Sequence, residues 1–319
     1  MKRTWIYNAT IVNEGLKFAG SVVVEDDTIC EVLQGEVRPS VPCDAEIDAR
    51  GCYLIPGVID DHVHFRDPGL THKADMASET AAAAAGGVTS FMDMPNCNPQ
   101  TTTLEALENK FADAANKCIV NYSFYFGATN NNTELLQQLD KKHVCGVKLF
   151  MGASTGNMLV DRIESLRKIF SEAGILIAAH CEDQTIIRWN TELVKSKYGE
   201  EDVDILFHPR IRSEEACWRS SSLAVQLAKE TGARLHILHV STARELELFE
   251  DKPISEKKIT SEACVSHLMF CDEDYKTLGA RIKCNPSIKT KNDRDMLRRA
   301  LTTNRIDVIC TDHAPHLLK

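Results

Sequence analysis

No Cys-x-x-Cys pair, no cluster of lysines and arginines and no long apolar stretch occurs in this sequence. Twelve cysteines at irregular spacings in a chain of 319 residues do not read as a disulfide framework; they read as reduced, mostly buried thiols of a cytoplasmic protein. Cys52, Cys118, Cys145, Cys264 and Cys310 lie in or beside apolar runs and are expected in the core. A net charge of -9 without a basic cluster argues against a nucleic-acid partner. No apolar run reaches the length of a bilayer span, so no membrane partner is expected, and Met1-Lys2-Arg3-Thr4-Trp5 is not followed by the apolar core of a signal peptide. Short repeats and low-complexity segments are absent beyond Ala81 to Ala85.

What is present is the composition of a soluble enzyme, 43% hydrophobic and 26% charged. Residues 1–52 carry short β-rich runs, Thr4–Tyr7, Ser21–Glu25 and Ile29–Val32, separated by Asn, Gly and Asp. They predict a small antiparallel sheet that is too small to stand alone. From Tyr53 onward eight strand-like runs follow: Tyr53–Phe65, Val88–Met94, Asn121–Ala128, Gly146–Met151, Ile175–His180, Arg234–Val240, Ile259–Leu268 and Ile306–Thr311. Between them, Ser78–Ala85, Thr103–Ala115, Thr133–Lys141, Arg162–Ala173, Glu214–Thr231 and Asp293–Leu301 read as helices. Eight such βα units predict an α/β fold, a TIM-type (β/α)8 barrel over 53–319. A doubly wound sheet would put a glycine-rich phosphate loop after its first strand, where this chain has a histidine pair instead. Only Asp312–Lys319 follows the eighth run. The expectation is therefore that the helix closing the barrel, and partner strands for the N-terminal sheet, lie outside this sequence.

That histidine pair is Asp61-His62-Val63-His64, at the end of the first barrel run. Residues two apart on a strand share a face, so His62 and His64 can aim at one point. Reactive residues of a barrel gather at the carboxyl ends of strands. Four more runs end in ligand-like residues: Lys148, His180, His239 and Asp312. Nitrogen and carboxylate donors suit zinc. His236 and His239 are three apart and should face opposite ways, as should Asp312 and His313; His239 and Asp312 take the inward positions. Lys148 is the odd member. As an ammonium it cannot bind zinc, but an uncharged lysine amine can take up carbon dioxide to give a carboxylate-bearing carbamate.

Asp-His-Val-His-Phe-Arg-Asp-Pro-Gly (61–69), Met-Pro-Asn-Cys-Asn-Pro (94–99), Lys-Leu-Phe-Met-Gly-Ala-Ser-Thr (148–155), His-Val-Ser-Thr (239–242) and Thr-Asp-His-Ala-Pro-His (311–316) together resemble the dihydroorotases of the amidohydrolase superfamily. The likeness runs through the whole chain. It implies a small β-sandwich domain built from both chain ends beside the barrel. It also implies two zinc ions: His62 and His64 with Asp312 on the more buried one, His180 and His239 on the other, bridged by carboxylated Lys148 and a hydroxide. Arg66, Asn96 and His316 would hold the carboxylate of the substrate, Arg66 through its planar fork. Asn285 would contact the pyrimidine ring, although here it stands in Cys-Asn-Pro-Ser-Ile-Lys where many relatives carry Asn-Pro-Pro-Leu-Arg. His267 has no ligand role in that family and is expected to support the site.

The implied reaction is the reversible closure of N-carbamoyl-L-aspartate to L-dihydroorotate in pyrimidine synthesis, with Asp312 shuttling the proton. A homodimer is consistent with the resemblance. An allantoinase or a hydantoinase/dihydropyrimidinase would share the metal site, but its substrate lacks the ring carboxylate. A catalytically dead relative would be expected to lose a ligand, and a sequestering metal module would leave Arg66 and Asn96 without a purpose.

Overall fold

The computed structural model describes residues 1–152, 158–199 and 203–317. It comprises two units, Met1–Val58 and Ile59–Lys319. In the first, β1 (Arg3–Asn13), β2 (Leu16–Glu25) and β3 (Thr28–Gln34) form an antiparallel meander. The alternation in β1 and β2 buries Ala9, Ile11 and Val22 against Phe18, Val24, Ala49 and Leu54. On the free edge of β1, β4 (Ala45–Asp48) and β5 (Tyr53–Leu54) pair parallel to it, one after the other. The sheet is therefore mixed, not antiparallel as the sequence suggested. The reason is the connection from 35 to 44, long enough to carry the chain back for a parallel pairing that a tight hairpin cannot make.

The second unit is an eight-stranded barrel of β6 (Val58–Val63), β7 (Val88–Asp93), β8 (Asn121–Gly127), β9 (Gly146–Phe150), β10 (Ile177–His180), β11 (Leu235–Ile237), β12 (Ile259–Cys264) and β13 (Val308–Cys310), each bonded to the next. All residues of β9 and β10 are buried, as parallel strands covered on both faces require. Neighbouring residues face opposite sides, and the packing follows: Phe124 and Phe126 join the large cluster beneath the helices, while Tyr125 joins Met94, Ala178 and Leu238. The seam between first and last strands is closed by a parallel bridge from Val63 to His313, with the His64 N–H donating to His313 O at 2.7 Å. Below it, the Asp60 carboxylate accepts from the Thr311 hydroxyl at 2.5 Å and the Thr311 N–H at 3.2 Å. Ile59 and Ile309 are more than half exposed beside this seam, at 57% and 51%.

All eight expected runs hold barrel strands, with four local differences. Tyr53–Phe65 is two strands, because Pro56 lacks an N–H for the ladder and Gly57 loosens the turn; Tyr53–Leu54 pairs in the small sheet and Val58–Val63 in the barrel. The seventh strand stops at Cys264 and continues as a short helix, Val265–Met269, which carries His267. The segment expected as a helix at Thr133–Lys141 is a 3-10 turn, Thr133–Gln138. A helix at Gln184–Tyr198 is not evident from sequence, because Trp189, Leu193 and Tyr198 point outward and blur its apolar stripe. Five helices start where a side chain takes a free N–H group, at Asp75, Thr103, Asp183, Ser213 and Thr290.

All twelve cysteines are free. Cys264 and Cys310 are buried and Cys118 and Cys145 half-buried, but Cys52, in the turn after β4, is exposed, contrary to expectation. Among the described residues no helix is long and apolar enough to cross a membrane.

Candidate metal and substrate site

A cavity of about 360 Å³ opens at the carboxyl ends of the strands. It is lined by all ten residues singled out in the sequence: His62, His64, Arg66, Asn96, Lys148, His180, His239, Asn285, Asp312 and His316. Residues 153–155 of the motif that begins at Lys148 lie outside the described residues. The end of β9 passes close to the end of β10. A Cβ on Gly152 would sit 1.5 Å from Glu182 O, so glycine is required there.

Two ligand groupings face the cavity. His62 Nε2 and His64 Nε2 lie 3.2 and 3.1 Å from the same Asp312 oxygen, Oδ1. Opposite them, His180 Nδ1 meets His239 Nε2 at 2.9 Å. Burial holds His64 and His180 below the ordinary imidazole value, and burial together with His180 and His62 holds His239 well below it. Neutral rings are what a metal needs; of the four, His62 alone is held above the ordinary value, because Glu262 and Asp312 outweigh its burial. Burial opposes ionisation of Asp312, yet His62, His64 and Lys148 outweigh it and hold the carboxyl well below its usual range. Burial pulls Lys148 down to about 8, only partly offset by Asp312 and Glu262. Lys148 is buried, and no carboxylate of the described residues lies within ion-pair distance of its amine.

These observations fit a metal. His62, His64 and Asp312 present their donor atoms within 4.8 Å of one another. Between His180 and His239 only one proton can lie, and His239 Nδ1 is buried without a partner among the described residues. Three residues here hold left-handed backbone angles without being glycine: Arg66 (φ 67°), His239 (φ 40°) and Asp312 (φ 52°). Such backbone costs on the order of 1–3 kcal/mol per residue and persists where surrounding structure enforces it.

His236 and His239 are both buried, and of the two only His239 lines the cavity; β11 ends at Ile237 and the chain turns at His239. Asp312 and His313 do face apart: His313 leaves the cavity and meets Glu79. His267 lies beneath the site, its Nε2 3.0 Å from Pro286 O, and so props the loop that carries Asn285.

At the mouth, Arg66 Nε donates to Pro315 O at 3.0 Å and Nη2 lies 2.9 Å from His316 Nε2. Lys73 Nζ lies 3.4 Å from His316 Nδ1. A neutral ring has one acceptor nitrogen, so it cannot satisfy both cations. No carboxylate of the described residues pairs with Arg66 or Lys73, which leaves a positive mouth open to an anion. Asn96 also braces a ligand. Its Oδ1 takes the Nδ1 proton of His64 at 2.8 Å, leaving its amide N–H groups for a bound molecule.

Sequence reasoning missed the residues that hold these groups. Glu262 lies 2.6 Å from His62 Nδ1, and Glu182 lies 3.0 Å from His180 Nε2 while also accepting from Arg212. Lys73 and Lys283 were also passed over. One signal was available: an acidic residue inside a run that reads as a buried strand must have a partner, and Glu262 stands in the middle of Ile259–Leu268.

A family model described as the amidohydrolase family matches residues 53–318. The chain is 31% identical to a dihydroorotase of Pediococcus pentosaceus over 319 residues, covering 98% of this chain and 72% of that protein. It is 32% identical to an allantoinase of Deinococcus radiodurans over 284 residues, covering 86% of this chain and 62% of that one. Among solved structures it superposes on an L-hydantoinase of Arthrobacter aurescens with a TM-score of 0.91 at 26% identity, covering 99% of this chain and 70% of the other. The chain thus spans between three fifths and three quarters of the length of these relatives.

Proposed function

This chain belongs to the amidohydrolase family, and from that premise we propose that it serves a zinc-dependent cyclic amidohydrolase acting as a dihydroorotase, which interconverts N-carbamoyl-L-aspartate and L-dihydroorotate. The observation that carries the choice of substrate is the mouth where Arg66 and Lys73, with no carboxylate partner among the described residues, converge on His316 beside a donor set suited to metal. A ring carboxylate is the anion such a mouth would accept.

In this reading His62, His64, His180, His239 and Asp312, with Lys148 as a carbamate, would hold the zinc. Bound zinc would supply an acidified water and a polarised amide carbonyl. The chain's own residues do the rest. Asp312, held ionised, takes a proton at its carboxylate and returns it to the ring nitrogen. Arg66, Asn96 and His316 fix the carboxylate and thereby the ring plane, with Asn285 at the ring. A lysine at about 8 keeps a reactive fraction of neutral amine at physiological pH, which is what carbamate formation consumes.

The test compares ring opening of L-dihydroorotate, dihydrouracil and allantoin by the zinc-loaded protein. A strong preference for dihydroorotate is expected. Turnover only of a substrate without the carboxylate would keep the metal centre and overturn the role given to Arg66. The competing allantoinase or hydantoinase reading draws on the near-equal identity to relatives bearing those names and on the altered residues after Asn285.

A further inference from the structure

We propose that Glu262 is a positioning residue that locks both halves of the metal centre through one carboxylate. The inference rests on the metal-centre reading above and adds a residue to which no role has been assigned. Glu262 lies on β12 and is completely buried. Its Oε1 takes the ring Nδ1–H of His62 at 2.6 Å and the backbone N–H of His239 at 2.9 Å. Its Oε2 takes the Nε2–H of His236 at 3.1 Å. One oxygen therefore touches a ligand residue from each grouping, a ring on one side and a backbone on the other.

Proton counting makes the arrangement directional. A carboxylate offers only acceptors, so all three partners must present hydrogens to it. With a hydrogen fixed on Nδ1, the nitrogen that His62 turns toward Asp312 is Nε2, the one left to ligate a metal. His236 is itself fixed from its far side, its Nδ1 lying 2.8 Å from the Thr260 hydroxyl. The same carboxylate holds the left-handed turn at His239 by its N–H, which fixes where that ring enters the cavity. Ligand histidines backed in this way keep one tautomer and one orientation, and loss of the backing group costs about 10–100-fold in metal affinity or activity.

Glu262→Leu removes all three acceptors at once with little change of volume. The measurement is zinc affinity of the full chain by chelator competition, with zinc stoichiometry by mass spectrometry and ring ¹⁵N NMR of the histidines, none of which needs a substrate. The expected result is about a 10–100-fold loss of zinc affinity, with the His62 signal showing mixed tautomers. A folded Glu262→Leu protein with wild-type zinc affinity and an unchanged His62 tautomer overturns the proposal. Should that variant not fold, His236→Leu removes the other anchor of Glu262 without touching a ligand; a loss of zinc affinity supports the proposal and none overturns it. Wild-type protein that takes up no zinc would overturn the metal-centre reading itself, and this role with it, so the two failures are distinct.

Discussion

In the proposed mechanism Asp312 must be ionised to lie between His62 and His64 and yet accept a proton during turnover, and its surroundings secure the first condition. Asp312→Asn keeps the shape and loses the basicity. Turnover should fall by about 10²–10⁴-fold, while equilibrium binding of dihydroorotate stays measurable by calorimetry. Arg66 makes a different prediction. Arg66→Lys keeps the charge but loses the fork, so KM for dihydroorotate should rise about tenfold to a hundredfold, in line with the loss of a charged hydrogen bond. Turnover of a ring without a carboxylate should not change. Lys148→Ala should lose zinc, and short carboxylic acids added to that variant should restore part of it by standing in for the carbamate.

One scale up, the helix Leu104–Lys117 reaches the site through a single buried residue. Lys110 is completely buried; it donates to the Asp93 carboxylate and to Met94 O at 3.0 Å, while Asp93 accepts from the Phe65 N–H at 2.7 Å. The pair thus ties the segment after His64 to the one before Asn96. Lys110→Met leaves a buried, uncompensated carboxylate and should cost about 3–5 kcal/mol in urea unfolding. Burial lowers the Lys110 pKa, but Asp93 outweighs it and holds the ammonium above its ordinary value. The folded state therefore grips this proton more tightly than the unfolded one. Its contribution is whole below about pH 10.5 and declines as pH rises through the raised value. An alkaline unfolding series should show this decline in the wild type and not in Lys110→Met. The elements themselves were largely legible in the sequence, because strands covered on both faces read as unbroken apolar runs. What stayed hidden obeyed other rules: an outward-facing Trp189, a parallel return of β4 and β5 set by loop length, and a Glu262 whose meaning depends on His62, 200 residues away.

At the scale of the molecule, the barrel is closed at one seam, and that seam also carries the site. Thr311 satisfies both oxygens of Asp60 one residue before Asp312, and the bridge from Val63 to His313 lies on its other side. Thr311→Val would strip Asp60 of its hydroxyl partner. Stability should fall by about 1–3 kcal/mol, with the denaturant slope unchanged because the surface exposed on unfolding is the same.

Arg66 and His316, which meet at the mouth of the cavity, are 250 residues apart in the chain. At a translation rate of about 5–20 residues per second, the first histidine pair would leave the ribosome roughly ten to fifty seconds before the aspartate that completes its cluster. Through that interval the nascent chain would carry His62 and His64 without the Asp312 that completes the proposed metal cluster, so the order of synthesis sets a lower limit on how early that cluster could load an ion.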